Sequence, residues 1–221
     1  MSRVVVLRPE PGASETAARA RQLGLEPILM PLFDVEPVEW EAPDPAGFDA
    51  LLVTSANAIR CGGERLTELR TLPAHAVGEA TAQAARDAGF EVATVGEGGV
   101  DELLDSLDPS MRLLHLCGED WREPQAPRQA VTPLTVYRSK ERPHVDVSAA
   151  EKAIVLMHSP RAARRFAELS SERGSTSIAA ISAAAAEAAG NGWDHVAIAE
   201  QPNDHALLAL AARLCNKPAP Q

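Results

Sequence analysis

Aromatic residues are scarce. The 221-residue chain holds four phenylalanines, three tryptophans and a single tyrosine. Alanine, leucine and valine dominate an apolar fraction of 45%. Small aliphatic side chains of that kind favour helices packed on parallel sheets over an aromatic-rich β-sandwich. Cysteine is also rare. Cys61, Cys117 and Cys215 are odd in number, widely spaced and form no CxxC pair, so they read as thiols of a reducing compartment and not as a disulfide framework. No basic stretch offsets a formal net charge of −10, which argues against nucleic acid or an anionic membrane as partner. A small anionic ligand stays open, because backbone amides and a few arginines act locally. No apolar run approaches membrane-spanning length. The opening Val4-Val5-Val6-Leu7, stopped by Arg8-Pro9, is too short for a signal h-region and reads as a first strand. A cytoplasmic protein is expected. Six histidines, at 75, 115, 144, 158, 195 and 205, show no ligand spacing, so no metal is expected.

What the chain does have is one pattern twice. Ala50-Leu51-Leu52-Val53-Thr54-Ser55-Ala56 and Ala153-Ile154-Val155-Leu156-Met157-His158-Ser159-Pro160 are each an apolar run, a serine and a helix-like stretch. Ser55 and Ser159 stand 104 positions apart. The same offset lays Ala76-Val77-Gly78-Glu79-Ala80-Thr81-Ala82 over Ala180-Ile181-Ser182-Ala183-Ala184-Ala185-Ala186. With one residue of slippage, 90–92 meets 193–196 and 101–104 meets 204–207. A duplicated strand–helix unit implies two similar domains, with the ligand expected between them.

Local signals fill in the elements. Ser14 is expected to cap a helix to Leu23, stopped by Gly24, and 27–32 reads as a second strand. Residues 34–47 carry three prolines and no helical period and read as a linker. A strand over 49–54 leads to a helix over 55–69 with Gly62-Gly63 in its middle. Strands over 74–77, 91–95, 112–116 and 134–137 follow, with helices over 81–88 and 100–107. Pro124 and Pro127 speak against a regular helix over 119–130. A second polar crossing spans 138–148. Beyond it, strands over 153–157, 177–181 and 196–199 alternate with helices over 161–170, 183–189 and 204–214. The opening β-α-β matches 112–138 only roughly, so the chain is expected to start in one domain, cross into a second and return. The expected fold is therefore α/β: two similar flavodoxin-like parallel-sheet domains joined by a two-stranded linker. The first is discontinuous (1–36 and 141–221) and the second is inserted (38–137).

In such sheets ligands bind beyond the carboxyl ends of the strands, where helix N-termini point. Arg8, Ser55-Ala56-Asn57, Gly78, Ala80-Thr81, Gly118, Ser159, Arg161 and Ser182 fall at those ends. Exposed N–H groups with a hydroxyl make an anion site, although Ser55, Thr81 and Ser159 also suit the plain role of N-caps. Tyr137, expected at the end of a strand where the chain leaves the second domain, has a hydroxyl for the same ligand or for packing. His115 alternates inside a strand and reads as core.

The order Leu7-Arg8-Pro9, Phe48-Asp49-Ala50-Leu51 into Thr54-Ser55-Ala56-Asn57-Ala58, Ala76-Val77-Gly78-Glu79-Ala80-Thr81-Ala82 with Ala88-Gly89, Thr135-Val136-Tyr137-Arg138, then His158-Ser159-Pro160 resembles uroporphyrinogen-III synthase over nearly the whole chain. The resemblance implies a lyase that cyclises hydroxymethylbilane to uroporphyrinogen III, inverting ring D with loss of water. It implies no cofactor, a substrate with eight carboxylates and a monomer. Ser55, Gly78, Thr81, Tyr137 and Ser159 match the family's binding positions, and Tyr137 matches the tyrosine thought to assist departure of the hydroxyl. The chain departs from the family at Ser182 and Ala185, where a glycine and a threonine are usual, and in the proline-broken stretch after Gly118. Those departures keep open a non-catalytic module that binds a polycarboxylate or tetrapyrrole. A flavin- or nucleotide-binding enzyme is disfavoured, because Gly96-Glu97-Gly98-Gly99 matches no phosphate loop.

Overall fold

A computed structural model describes residues 3–215. The chain divides into two units. The first runs to Asp34 and resumes at Glu141; the second is Val35–Lys140. Strand β1 (Arg3–Val6) opens the first unit, and its three valines are fully buried, as a strand covered on both faces requires. Helix α1 (Gly12–Gln22) follows. It starts before the expected cap: Ser14 lies in the first turn, where its N–H and hydroxyl both donate to the Glu10 carboxylate. Its end is as the sequence reads, with Gly24 at φ +73° and its N–H on the Arg21 carbonyl. Strand β2 (Glu26–Leu29) stops short of the expected 27–32 and lies at the sheet edge.

Strand β3 (Phe33–Pro37) takes up the start of the stretch that reads as a linker. Beneath the prolines, Phe33, Val35 and Pro37 alternate with Asp34 and Glu36, the period of a strand. The second unit continues with β4 (Ala50–Val53), all buried, and α2 (Ala56–Cys61). The helix expected through Leu69 breaks at the two glycines. Gly63 takes φ +69°, and a Cβ on Gly62 would lie 2.7 Å from the Leu66 side chain; Glu64–Leu69 then continues as 3-10 turns. Next come β5 (Ala74–Val77), α3 (Glu79–Asp87), β6 (Val92–Gly96), α4 (Val100–Ser106) and β7 (Arg112–Gly118). Strand β8 (Ala130–Glu141) is far longer than the expected 134–137. Tyr137 therefore sits within a strand and not at its end. The polar residues after Tyr137 stay extended because β3 supplies partners: Val38 N–H donates to the Val136 carbonyl, and Arg138 and Arg142 pair with Glu36 and Asp34 at 3.0 and 2.6 Å. Those contacts descend along one strand as they rise along the other, so the pair is antiparallel.

The first unit resumes with β9 (Ile154–Met157), α5 (Pro160–Leu169), β10 (Ser177–Ala180), α6 (Ala183–Ala189), β11 (His195–Ile198) and α7 (Asp204–Cys215). Its sheet runs β11-β10-β9-β1-β2, and every pairing is parallel. The second sheet runs β6-β5-β4-β7-β8 with β3 outside, and its first five strands are also parallel. Both orders are flavodoxin-like. The second is entered at its third strand, so the duplicated segment β4 to α4 matches β9 to α7, and β7–β8 stand where β1–β2 do. Alternating residues feed opposite faces. Val5, Val155 and Ile178 go to one core and Val4, Leu156 and Ala179 to the other. Leu51, Val53 and Leu114 oppose Ala50, Leu52 and Leu113 in the second unit.

Candidate functional site

In each sheet the strand order reverses once, between β1 and β9 and between β4 and β7. A crevice opens at the carboxyl ends at such a reversal. In the second unit it is a cavity of about 270 Å³, lined by Thr54, Val100, His115, Gly118, Glu119, Asp120, Trp121, Arg122, Tyr137 and Ser139.

Tyr137 reaches this cavity through a register shift. Strands β7 and β8 pair residue for residue up to Cys117–Thr135; the next pair is Gly118–Tyr137, one residue out of step on β8. Because side chains alternate, one extra residue carries the Tyr137 ring to the side Val136 would otherwise take. The ring lies directly over Gly118, where an added Cβ would be 2.6 Å from it. Gly118 is therefore glycine because the tyrosine occupies its side-chain volume. Burial pushes the Tyr137 phenol above its ordinary pKa, and a hydrogen bond with the Ser55 side chain pulls the other way. At neutral pH the phenol keeps its proton.

Ser55 also caps α2: its hydroxyl accepts from Asn57 N–H at 3.2 Å. One residue earlier, Thr54 Oγ1 lies 3.0 Å from His115 Nε2. Trp121 stands almost perpendicular to the His115 ring, 85° at 5.3 Å between centroids. Burial alone lowers the His115 pKa to about 4, so the imidazole is neutral at neutral pH.

Of the residues expected at a binding site, Gly118 and Tyr137 line this cavity. Ser55 does not, but its side chain is hydrogen-bonded to Tyr137, and Ala56 and Asn57 follow it in the first turn of α2. Gly78, Ala80 and Thr81 start α3 at the end of β5 and do not line it. Gly78 takes φ +80°, and its carbonyl accepts from Thr81 and Ala82. Thr81 is buried and Ala80 exposed. In the first unit, Ser159 and Ser182 cap α5 and α6 by accepting from Ala162 N–H at 3.2 Å and Ala185 N–H at 3.3 Å. The Arg161 guanidinium stacks over the Phe33 ring at 4.5 Å. Arg8 folds back to donate to Thr16 Oγ1 at 3.2 Å and lies 3.9 Å from Asp204. Asp204 gathers His158 Nε2 at 2.8 Å, the Thr16 hydroxyl at 3.0 Å and the Arg19 guanidinium. Burial opposes its charge; these donors overcome that, and the carboxyl sits below the usual carboxylate range. Among the described residues no group of three or more His, Cys, Asp or Glu is placed to hold a metal ion.

Sequence reasoning placed Thr54 beside Ser55 at the carboxyl end of its strand, and Thr54 lines the cavity; it missed Trp121, Ser139 and His115 as cavity residues. For His115 there was no signal: alternation places it on a face but does not say that the face opens onto a cavity.

A family model described as uroporphyrinogen-III synthase HemD matches residues 14–209. The chain belongs to the uroporphyrinogen-III synthase family. The fold is also similar to that of the uroporphyrinogen-III synthetase of Helicobacter pylori 26695, at 21% identity and a TM-score of 0.66, covering 97% of this chain and 100% of that one. A mutant uroporphyrinogen III synthase from the extremely thermophilic bacterium Thermus thermophilus is similar at 19% identity and a TM-score of 0.52, covering 98% and 100%. No curated protein matches the chain. Membership of the uroporphyrinogen-III synthase family makes the chain a cyclising lyase of heme biosynthesis that acts on a tetrapyrrole. Among the described residues no helix is long and apolar enough to cross a membrane.

Proposed function

We propose that the chain closes hydroxymethylbilane to uroporphyrinogen III and holds the reacting end of the bilane in the cavity of the second unit. The observation that carries this reading is the setting of Tyr137: a half-buried phenol that keeps its proton, tied to Ser55 and seated over Gly118 on the cavity wall. Sites that enclose a whole small ligand span roughly 300–1,000 Å³. A cavity of about 270 Å³ suits one substituted pyrrole with its side chains, not the whole bilane. In this reading the phenol donates to the hydroxyl of the first ring as its C–O bond breaks and water leaves. The ring left behind is cationic. Glu119 and Asp120 border the same cavity and favour positive charge there.

What remains is positioning. The last ring must attack through its substituted carbon, and holding two reacting carbons in line replaces a bimolecular encounter. The eight carboxylates give the protein its handles. We assign them to the starts of helices and the ends of strands: Ser55, Ala56 and Asn57 at α2; Gly78, Ala80 and Thr81 at α3; Gly118 at the end of β7; Ser159 and Arg161 at α5; Ser182 at α6; and Arg8 after β1. Support comes from their common place at the carboxyl ends of parallel strands, where helix N-termini carry partial positive charge. The test is to incubate the protein with freshly made bilane, oxidise the product and separate the isomers. Type III is expected in large excess. Type I alone, at the uncatalysed rate, would return the chain to the reading of a binding module.

A further inference from the structure

His115 is a core residue that also faces the cavity. It is 2% exposed, on β7, and borders the cavity together with Thr54. Its Nε2 lies 3.0 Å from Thr54 Oγ1, while its Nδ1 is buried with no hydrogen-bond partner. A neutral imidazole has one N–H and one bare nitrogen, so two arrangements are open. If the Thr54 hydroxyl donates to Nε2, the ring proton sits on Nδ1, stranded in the interior, and Thr54 has no proton left to offer. If Nε2–H donates to Thr54 Oγ1, the orphaned nitrogen is a lone pair and the hydroxyl proton is free. Buried N–H groups without a partner are rarer than under-used acceptors, which selects the second arrangement. Trp121, packed perpendicular to the ring, holds the imidazole in place. We propose that His115 is a positioning residue: by donating from Nε2–H to Thr54 Oγ1, it frees the Thr54 hydroxyl proton to meet a carboxylate oxygen of the tetrapyrrole in the cavity. The inference rests on the assignment of that cavity to substrate.

Two measurements on the full chain test it. The first reads the tautomer directly, as the nitrogen spectrum of the His115 imidazole between pH 6 and 8. A proton on Nε2 and a bare Nδ1 are expected. A proton on Nδ1 would overturn the inference. The second is a cycle of kinetic constants for Thr54→Val, His115→Leu and the double variant. A hydroxyl donating to a carboxylate corresponds to roughly a tenfold effect or more. Each single change should therefore raise KM about tenfold, more than it alters kcat, and the double variant should be no worse than Thr54→Val alone, because His115 acts through that hydroxyl. His115→Gln, whose amide reaches the Nε2 position, should recover part of the loss. Additive losses, or a KM unmoved by Thr54→Val, would count against it. Tyr137→Phe and Ser55→Ala separate the two levels. If those variants are impaired while Thr54 and His115 are silent, only the positioning role fails. If all four are silent, the cavity is not the substrate site and the inference falls with it.

Discussion

At the scale of single residues, the proposed role of Tyr137 turns on the volume that Gly118 leaves empty. Gly118→Ala places a methyl 2.6 Å from the Tyr137 ring, and that ring is held by Ser55 and by the strand it stands on. Overpacking of this kind costs about 1–3 kcal/mol, and the ring must leave its place to relieve it. Turnover should fall by roughly tenfold or more, because a displaced donor no longer reaches the leaving hydroxyl, while urea unfolding shows a folded protein with a lower midpoint. Wild-type turnover in Gly118→Ala would show that the position of the Tyr137 ring is not critical. Tyr137 was legible in the sequence through its match to a family motif, and Gly118 through its place at a strand end. Their contact was not, since it depends on a one-residue shift between β7 and β8 that no local pattern announces.

At the scale of elements, three serines at strand-to-helix junctions serve first as caps. Ser55, Ser159 and Ser182 each accept a backbone N–H from their own helix, so those amides, at Asn57, Ala162 and Ala185, are already engaged. Ser159→Ala should lower the unfolding free energy by about 1 kcal/mol, the usual worth of an N-cap, as read from urea midpoints. An unchanged midpoint would show that Pro160 at the first helical position suffices by itself to start α5. The elements that were easiest to read are those whose cause is local. Ile154–Met157 and Ala50–Val53 are continuous apolar runs buried on both faces, and Ala183–Ala189 is an alanine run ended by Gly190. The ones misread depend on distant partners. Phe33–Pro37 is a strand because residues near 138 pair with it, and β8 stays extended past Tyr137 for the same reason. The break of α2 is intermediate: the glycine pair was visible, but not the Leu66 side chain that fills the space beside Gly62.

At the scale of the whole molecule, buried histidines set the response to acid. Burial lowers the pKa of His75 and His115, His115 to about 4; in His158 burial also outweighs the pull of Asp204. The unfolded chain takes up a proton on each near pH 6.5, and the folded chain resists. Stability is therefore full above about pH 6.5 and lost as the pH falls toward 4, by up to roughly 3 kcal/mol from His115. Asp204, held below the usual range, adds a loss in the same direction below about pH 4. Urea midpoints should drop steadily from pH 7 to pH 4.5, and a flat profile would mean that these rings are solvated. The duplicated architecture was legible because both copies keep the order strand, serine, helix; the entry of the second sheet at its third strand followed from the weaker match of residues 112–138 to the opening of the chain. The measurement that bears most directly on the central claim is the isomer ratio and rate of product from hydroxymethylbilane for the wild type and Tyr137→Phe, side by side. Type III is expected from the wild type, with a rate lower by roughly 10- to 1,000-fold in the variant, still folded. A variant that forms type III at the wild-type rate would contradict the role given to Tyr137.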